Sequence, residues 1–533
     1  MHKKYIGFAL CLLTACSDPA ELPDTEPVAD LAKEVTIKVD KQFQTMEGFA
    51  ASDCWVPNYV GTYWSDTEKE SIAKLLFSQS VANGKPEGIG LSMWRFNLGG
   101  GTAEQGDASG IADRTRRAEC FLNADGSYNW DRQAGQQYFL QKAKQYGCER
   151  FVMFSNTPPV YYTQNGKGYS SSGSFSNLKG DSYGAYASYI TRVLTYFKEQ
   201  KGIDFALVSP VNEPQYNWGD PSQEGSGWKN AEIKQLAGQL DASLTSSGLS
   251  TKQLLPEAAD WNYLVSVKGD AERSNQLDDF FSNGSANYLG DLPSVAKVAA
   301  GHSYWTDGSF AEMQQIRQSV QAKAAAHSLQ VYQTEWSMLG DYYNENYPGH
   351  DKAGYMDIAL YMAKVIHADM VYASASSWSF WTSMDLERWG HKSRFLLISV
   401  TPADGVYGDI RNSGTHESRK NLWVLGNYSL FVRPGFKRVS LDIANASSLF
   451  MGSAYVAPDG KRLVAVYTNI SDKRIAVNTA LSGVSGKTVS SVKMYTTSQT
   501  SDLQEEVVAG ASADKQLVIP ARAVVTIVYD FNN

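Results

Sequence analysis

Two strand-like runs in this chain each end abruptly in a carboxylate. Residues 205–211 lead into Asn212-Glu213-Pro214, and residues 331–334 lead into Glu335-Trp336. A single glutamate in such a place is usually a surface or ion-paired group. Two of them, each beside polar and aromatic residues, make a pair suited to opening an acetal: one carboxylic acid protonates the leaving oxygen, and the other attacks the anomeric carbon or activates water. Glu213, as the acid, has to keep its proton near neutral pH, which burial and a neighbouring negative charge both favour. Glu335 has to stay ionised and needs donors, for which Arg95 (by charge) and Tyr304 (by its phenol) are the candidates. Asn212 is suited to donate to a sugar 2-hydroxyl. His302 is read either as orienting Tyr304 or Glu335 or as an ordinary core histidine.

The elements that position these residues follow a repeating pattern. Eight apolar segments, at 49–53, 91–97, 151–156, 205–212, 253–260, 298–304, 331–335 and 374–380, alternate with amphipathic stretches at 66–79, 132–146, 183–198, 231–246, 311–326 and 353–372. Eight such units in series imply an α/β chain folded as a (β/α)8 TIM barrel. An open doubly wound sheet is the alternative, and the lack of a GxGxxG turn after the first strand weakens it. In a barrel the active site lies at the carboxyl ends of the strands. That rule adds Asn156 and Asp53 to the candidates, together with Trp378 or Trp381 as the floor of a sugar pocket. Trp55, Trp218 and Trp336, and more loosely Tyr162 and Trp305, are candidates for further sugar contacts.

After residue 435 helical patterning largely stops, and short strands with turn signals such as Pro458-Asp459-Gly460 take over. They read as a side β-sandwich domain over 433–533, which the isolated strand pattern at 34–47 completes, leaving 48–432 for the catalytic barrel. The N-terminus reads differently. Lys3 and Lys4 precede an apolar run too short to span a bilayer, as in a secretory signal over residues 1–15. Leu13-Thr14-Ala15-Cys16 has the form of a lipobox, with Cys16 as the lipidated residue. Residues 16–33, rich in proline and acid, read as a flexible tether. The expectation is an exported lipoprotein of the cell envelope that touches the membrane only through its anchor.

Composition sets the outer limits. A net charge of −8 argues against a nucleic-acid partner. Thirteen Trp and thirty Tyr exceed what a core needs, and flat rings with polar tips suit surfaces that grip sugars. No CxxC or HExxH spacing occurs, so neither a metal nor another cofactor is expected. Once Cys16 is lipidated, Cys54, Cys120 and Cys148 remain, an odd number that leaves at least one thiol outside any internal disulfide. Arg114, Arg116 and Arg117 read as a solvated loop face, with acidic substrate decorations as the alternative. A monomer is expected.

The chain resembles glycoside hydrolase family 30. The matching pieces are Met46-Glu47-Gly48-Phe49, Trp94-Arg95-Phe96-Asn97-Leu98-Gly99, Asn156-Thr157-Pro158-Pro159, Asn212-Glu213-Pro214, His302-Ser303-Tyr304, Thr334-Glu335-Trp336 and Tyr428-Ser429-Leu430-Phe431-Val432-Arg433-Pro434-Gly435. The resemblance implies retention of configuration, with Glu213 as acid/base and Glu335 as nucleophile, and a side β-sandwich built from both chain ends. The Trp94–Gly99 piece, with Gln223-Glu224-Gly225, most resembles the endo-β-1,6-galactanase branch. The long segment 99–131 and the run Ala51-Ser52-Asp53-Cys54-Trp55 depart from that branch, so β-1,6-glucan, xylan and β-fucosides or β-xylosides stand as alternative substrates. A non-catalytic glycan-binding surface lipoprotein is the alternative from another functional class.

Overall fold

The structure is a computed structural model. It describes residues 29–532 apart from 172–174, 341–344, 391, 485, 511, 513 and 514. The signal, Cys16 and most of the tether therefore lie outside the described residues. Residues 31–33, read from sequence as tether, instead open the strand Leu31–Thr45.

The fold is mixed α/β. Met93–Asn97, Arg150–Phe154, Leu207–Ser209 and Lys252–Gln253 form one parallel sheet in that order. Gly48–Ala51, Ala375–Phe380, Gln330–Trp336, Val298–His302 and Pro256–Ala258 form a second. The two sheets meet at both edges: Ser52 bridges Arg95, and Lys252–Gln253 runs on within two residues to Pro256–Ala258. Side chains from six of these strand segments (Ala50, Met93, Val152, Leu207, Val298 with Ala300, and Tyr332) meet in one buried cluster with Leu254, which links two more.

Helices cover the outer faces. Asp66–Phe77 starts where the Ser65 hydroxyl accepts the Glu68 N–H, with Asp66 and Glu68 favourably placed in the first turn. Phe310–Ala326 begins in the same way on Ser309. Tyr355–Val371 is buried on nearly every face, because it lies between the parallel strands and the C-terminal sheet.

That C-terminal sheet has nine strands, in the order Gln504–Val507, Thr488–Thr497, Ala523–Asn532, Arg462–Asn469, Phe450–Val456, Lys437–Ile443, Leu31–Thr45, Ile475–Ser482 and Leu517–Ile519. It is one continuous sheet closed over its own apolar core, which includes Ile37, Val439, Tyr467, Val477, Ile527 and Tyr529. The N-terminal strand sits inside it, antiparallel to Lys437–Ile443 and parallel to Ile475–Ser482. Cys54, Cys120 and Cys148 are all buried free thiols.

Candidate active site

Because successive strand residues face opposite ways, each parallel strand sends one set of side chains inward and the other toward the helices. Arg95, between the outward Trp94 and Phe96, is only 2% exposed. Its Nη1 donates to Oε2 of Glu335 at 2.6 Å and to the Ser52 hydroxyl at 3.1 Å, and its Nη2 donates to Oδ1 of Asn212 at 2.9 Å. Its guanidinium lies 3.6 Å from the centre of the Phe154 ring. The Tyr304 hydroxyl donates to the other Glu335 oxygen at 3.0 Å. Burial, then the neighbouring Glu335 and Glu213, raise the Tyr304 pKa well above its ordinary value, so the phenol stays a donor.

Glu213 sits just past its strand with φ 43°, a left-handed conformation uncommon for a residue with a side chain. Backbone contacts hold it there: its N–H donates to the Glu257 carbonyl at 3.0 Å, and its own carbonyl accepts the Trp218 indole N–H at 3.1 Å. Gly225 makes room for that indole, since a Cβ at 225 would fall 2.1 Å from the ring. Oε1 of Glu213 lies 3.0 Å from Nδ1 of His302, whose Nε2 lies 3.1 Å from Oε2 of Glu257. An imidazole flanked by two carboxylates satisfies both only when doubly protonated. Burial opposes that charge, but Glu335, Glu213 and Glu257 outweigh it and raise His302 to about 10.

Glu257 is the mirror case. Burial favours its neutral form, yet Arg95, His302 and the Ser209 hydroxyl, 2.5 Å away, lower it to about 2. Glu213 is raised chiefly by burial, against the pull of His302. With Glu213 protonated, the two cations Arg95 and His302 balance the two anions Glu257 and Glu335. That balance is what lets five ionisable groups share a buried site.

Glu213 and Glu335 offer oxygens within 4.8 Å of each other, on the wall of a cavity of about 150 Å³. Asn156, Asn212, Tyr304, Trp218 and Trp381 line it as well. Tyr216 and Trp305 form its rim, their rings parallel within 10° and 6.0 Å apart. Glu213, His302 and Glu335 also have the spacing of a metal site. A metal would need a free imidazole lone pair, whereas both His302 nitrogens face carboxylates, and Arg95 on Glu335 repels a cation.

Three candidates lie elsewhere, for reasons of strand alternation and local bonding. Trp378 points outward, its indole N–H donating to Asp369 of the helix Tyr355–Val371 at 2.9 Å. Trp336, next to the inward Glu335, also points outward and donates to Asp307 at 2.6 Å. Asp53 is fully buried, accepting from Trp94, the Asn97 N–H and Gln136, and burial raises it to about 7. Trp55 stands behind the cavity, edge-on to Trp381 at 5.1 Å. Arg116, read as part of a solvated loop face, is 6% exposed and paired with Asp385. Glu257 was missed by sequence reasoning; its one signal is a charge inside the apolar run Leu254-Leu255-Pro256-Glu257-Ala258-Ala259. Glu224 is not a cavity group: buried, it accepts the N–H groups of Gly100 and Thr102 and the Thr102 hydroxyl, and so ties the 99–131 segment down.

Comparison with known proteins bears on this site. The model of O-glycosyl hydrolase family 30 matches residues 32–391. An endo-β-1,6-galactanase of Hypocrea rufa is 28% identical over 234 residues, 41% of this chain and 47% of the relative, so the chain spans about half the length of that curated relative. The crystal structure of a conserved exported protein from Bacteroides fragilis, 29% identical, superimposes with a TM-score of 0.85 over 93% of this chain and 100% of that one. The catalytic domain of a family 30 xylanase from Talaromyces cellulolyticus superimposes with a TM-score of 0.64 at 19% identity, over 93% of this chain and 99% of the other, and shows a shared fold.

Proposed function

As the chain belongs to O-glycosyl hydrolase family 30, we propose that it is a retaining glycosidase acting on a β-linked glycan, built on a closed (β/α)8 ring of the parallel strands. The observation that carries this reading is the close approach of the Glu213 and Glu335 oxygens inside one cavity. A pair separated by about 5–5.5 Å leaves no room for an intervening water and suits direct attack by one carboxylate.

In the first step Glu335, aligned by Arg95 and Tyr304, attacks the anomeric carbon. The bond to the leaving oxygen breaks, and the Glu213 proton moves to that oxygen. In the second step water gives its proton to Glu213, and its oxygen replaces Glu335 at the same carbon, restoring both carboxyl groups. His302 binds one oxygen of Glu213 and leaves the other to carry the proton. The Asn212 carbonyl is held by Arg95, which leaves the amide N–H groups for the sugar 2-hydroxyl.

We assign β-1,6-galactan as the substrate class, supported by the galactanase relative. β-1,6-Glucan, xylan and β-fucosides are the alternatives. Product analysis on a panel of these polysaccharides tests the assignment, and NMR of the first-formed anomer tests retention. Glu335→Gln should lower kcat by about 10³-fold or more with any leaving group. Glu213→Gln should lower it about 10²–10⁴-fold on polysaccharide and much less on an activated aryl glycoside. Near wild-type turnover by either variant on polysaccharide overturns the roles.

The N-terminal signal and Cys16 support export and lipidation, in keeping with the exported Bacteroides relative. Mass spectrometry of the mature N-terminus, with Cys16→Ala as the control, tests this.

A further inference from the structure

The cleft does not end at the two carboxylates. Trp381 and Gln223, on the wall of the catalytic cavity, also wall a second hollow of about 230 Å³ that Trp55, Arg116, Asp385, Trp389 and Phe395 help to line. Its chemistry is unusual in one respect. The Arg116 guanidinium is clamped between two indoles, 4.1 Å from the ring centre of Trp55 and 4.1 Å from that of Trp389. Edge-on, its Nη1 and Nη2 donate to Oδ1 and Oδ2 of Asp385 at 3.2 and 2.7 Å.

Two indoles and the Asp385 carboxylate thus surround the cation, and the Asp385 charge is neutralised in place. The next cations outward are engaged as well: Arg388 with Asp113 at 2.9 Å, and Arg394 with the carbonyls of Met338 and Leu339. Among the described residues, a charged ligand group entering this hollow would lose water and find no free counter-charge. A neutral ring with hydroxyl edges would find indole and phenyl walls and the Gln223 amide.

Glu213 must face the leaving oxygen, and the wall that extends from it is formed by Tyr216, Trp218 and Trp305. The second hollow has none of these residues and joins the cavity at Trp381 instead.

We propose that the hollow lined by Trp55, Trp389 and Phe395 binds a second, uncharged sugar unit of the glycan, on the side of the scissile bond away from the leaving group. This rests on the glycosidase reading. Binding energy from that unit is available to the transition state, so catalysis should strengthen as the chain extends in that direction.

Aryl glycosides carrying one or two sugar units isolate the effect, because the aryl group occupies the leaving-group side and the added unit extends only the other way. They should be made from whichever panel glycan the enzyme hydrolyses. The second unit should raise kcat/KM at least tenfold in the wild type. Trp389→Leu, which keeps an apolar cover on Arg116, and Phe395→Ala should each remove most of that gain, and a terminal uronic acid in place of the neutral unit should abolish it. The proposal is overturned if the wild type shows no gain, if both variants keep it in full, or if the uronic acid substrate gains equally. If no panel glycan is cleaved, the glycosidase reading fails by itself. Calorimetry with two-unit aryl glycosides made from each panel glycan in turn then decides the hollow: binding that Trp389→Leu weakens supports it, and no binding of any of them overturns it.

Discussion

His302 shows how one residue sets the working range of another. Its imidazolium donates to Glu213 and holds that carboxyl below the value burial alone would impose. The acid role requires protonated Glu213, so kcat/KM falls on the alkaline side as Glu213 ionises. Replacing His302 by Gln removes the charge that lowers the Glu213 pKa, so the pKa rises and the alkaline limb moves to higher pH. The maximal rate should drop, because Glu257 loses a partner 3.1 Å away. A pH–rate profile of His302→Gln checks this, and a limb displaced to lower pH refutes it. Glu213 and Glu335 could be singled out in the sequence because two carboxylates, each closing an apolar strand beside polar and aromatic residues, are far less readily explained as surface groups than one. Glu257 could not, because its role comes from His302, on the neighbouring strand of its own sheet, and from Arg95, on the other sheet, groups that only the tertiary structure brings to it.

The elements were legible where hydrophobic periodicity is strong. Seven of the eight strand segments and the six principal helices stand close to where the pattern put them, with ends differing by a few residues where caps and turns decide, whereas the segment expected at 253–260 is split into Lys252–Gln253 and Pro256–Ala258 in different sheets. Facing within a strand was harder to read. Trp336 shares its strand with the cleft-lining Glu335, and Trp378 lies three residues before the cleft-lining Trp381, yet their indoles turn outward to Asp307 and Asp369, since only alternate positions face inward and sequence gives the alternation but not its phase. Close helix contacts were equally silent. Helix Val56–Tyr63 crosses Ala134–Gln145 with Gly61 against Gly135, where a Cβ on Gly135 would fall 2.0 Å from the Asn58 carbonyl oxygen. Gly135→Ala should therefore cost about 1–3 kcal/mol by overpacking, measurable by chemical denaturation. An unchanged midpoint and slope would mean that the two helices slide apart at no cost.

On the scale of the whole molecule, the strand Leu31–Thr45 ties the chain's beginning to its end. It lies between Lys437–Ile443 and Ile475–Ser482, so its loss would leave two strands with unpaired backbone groups and open the core around Ile37. A chain beginning at residue 47 should be far more sensitive to limited proteolysis within 437–532 than the intact chain. Equal resistance would show that the nine-stranded sheet closes without its inner strand. The sequence by itself determined the alternation of strands and helices, the strand-rich C-terminal region and the two principal carboxylates, because these rest on local periodicity and on residue chemistry that neighbours along the chain can express. The tertiary structure alone decided the charge balance of Arg95, His302, Glu257 and Glu335, the outward turn of Asp53, Trp336 and Trp378, and the neutralisation of Arg116 by Asp385. Each depends on which groups meet across strands far apart in sequence, and burial makes those meetings, not the residue types, set charge and direction.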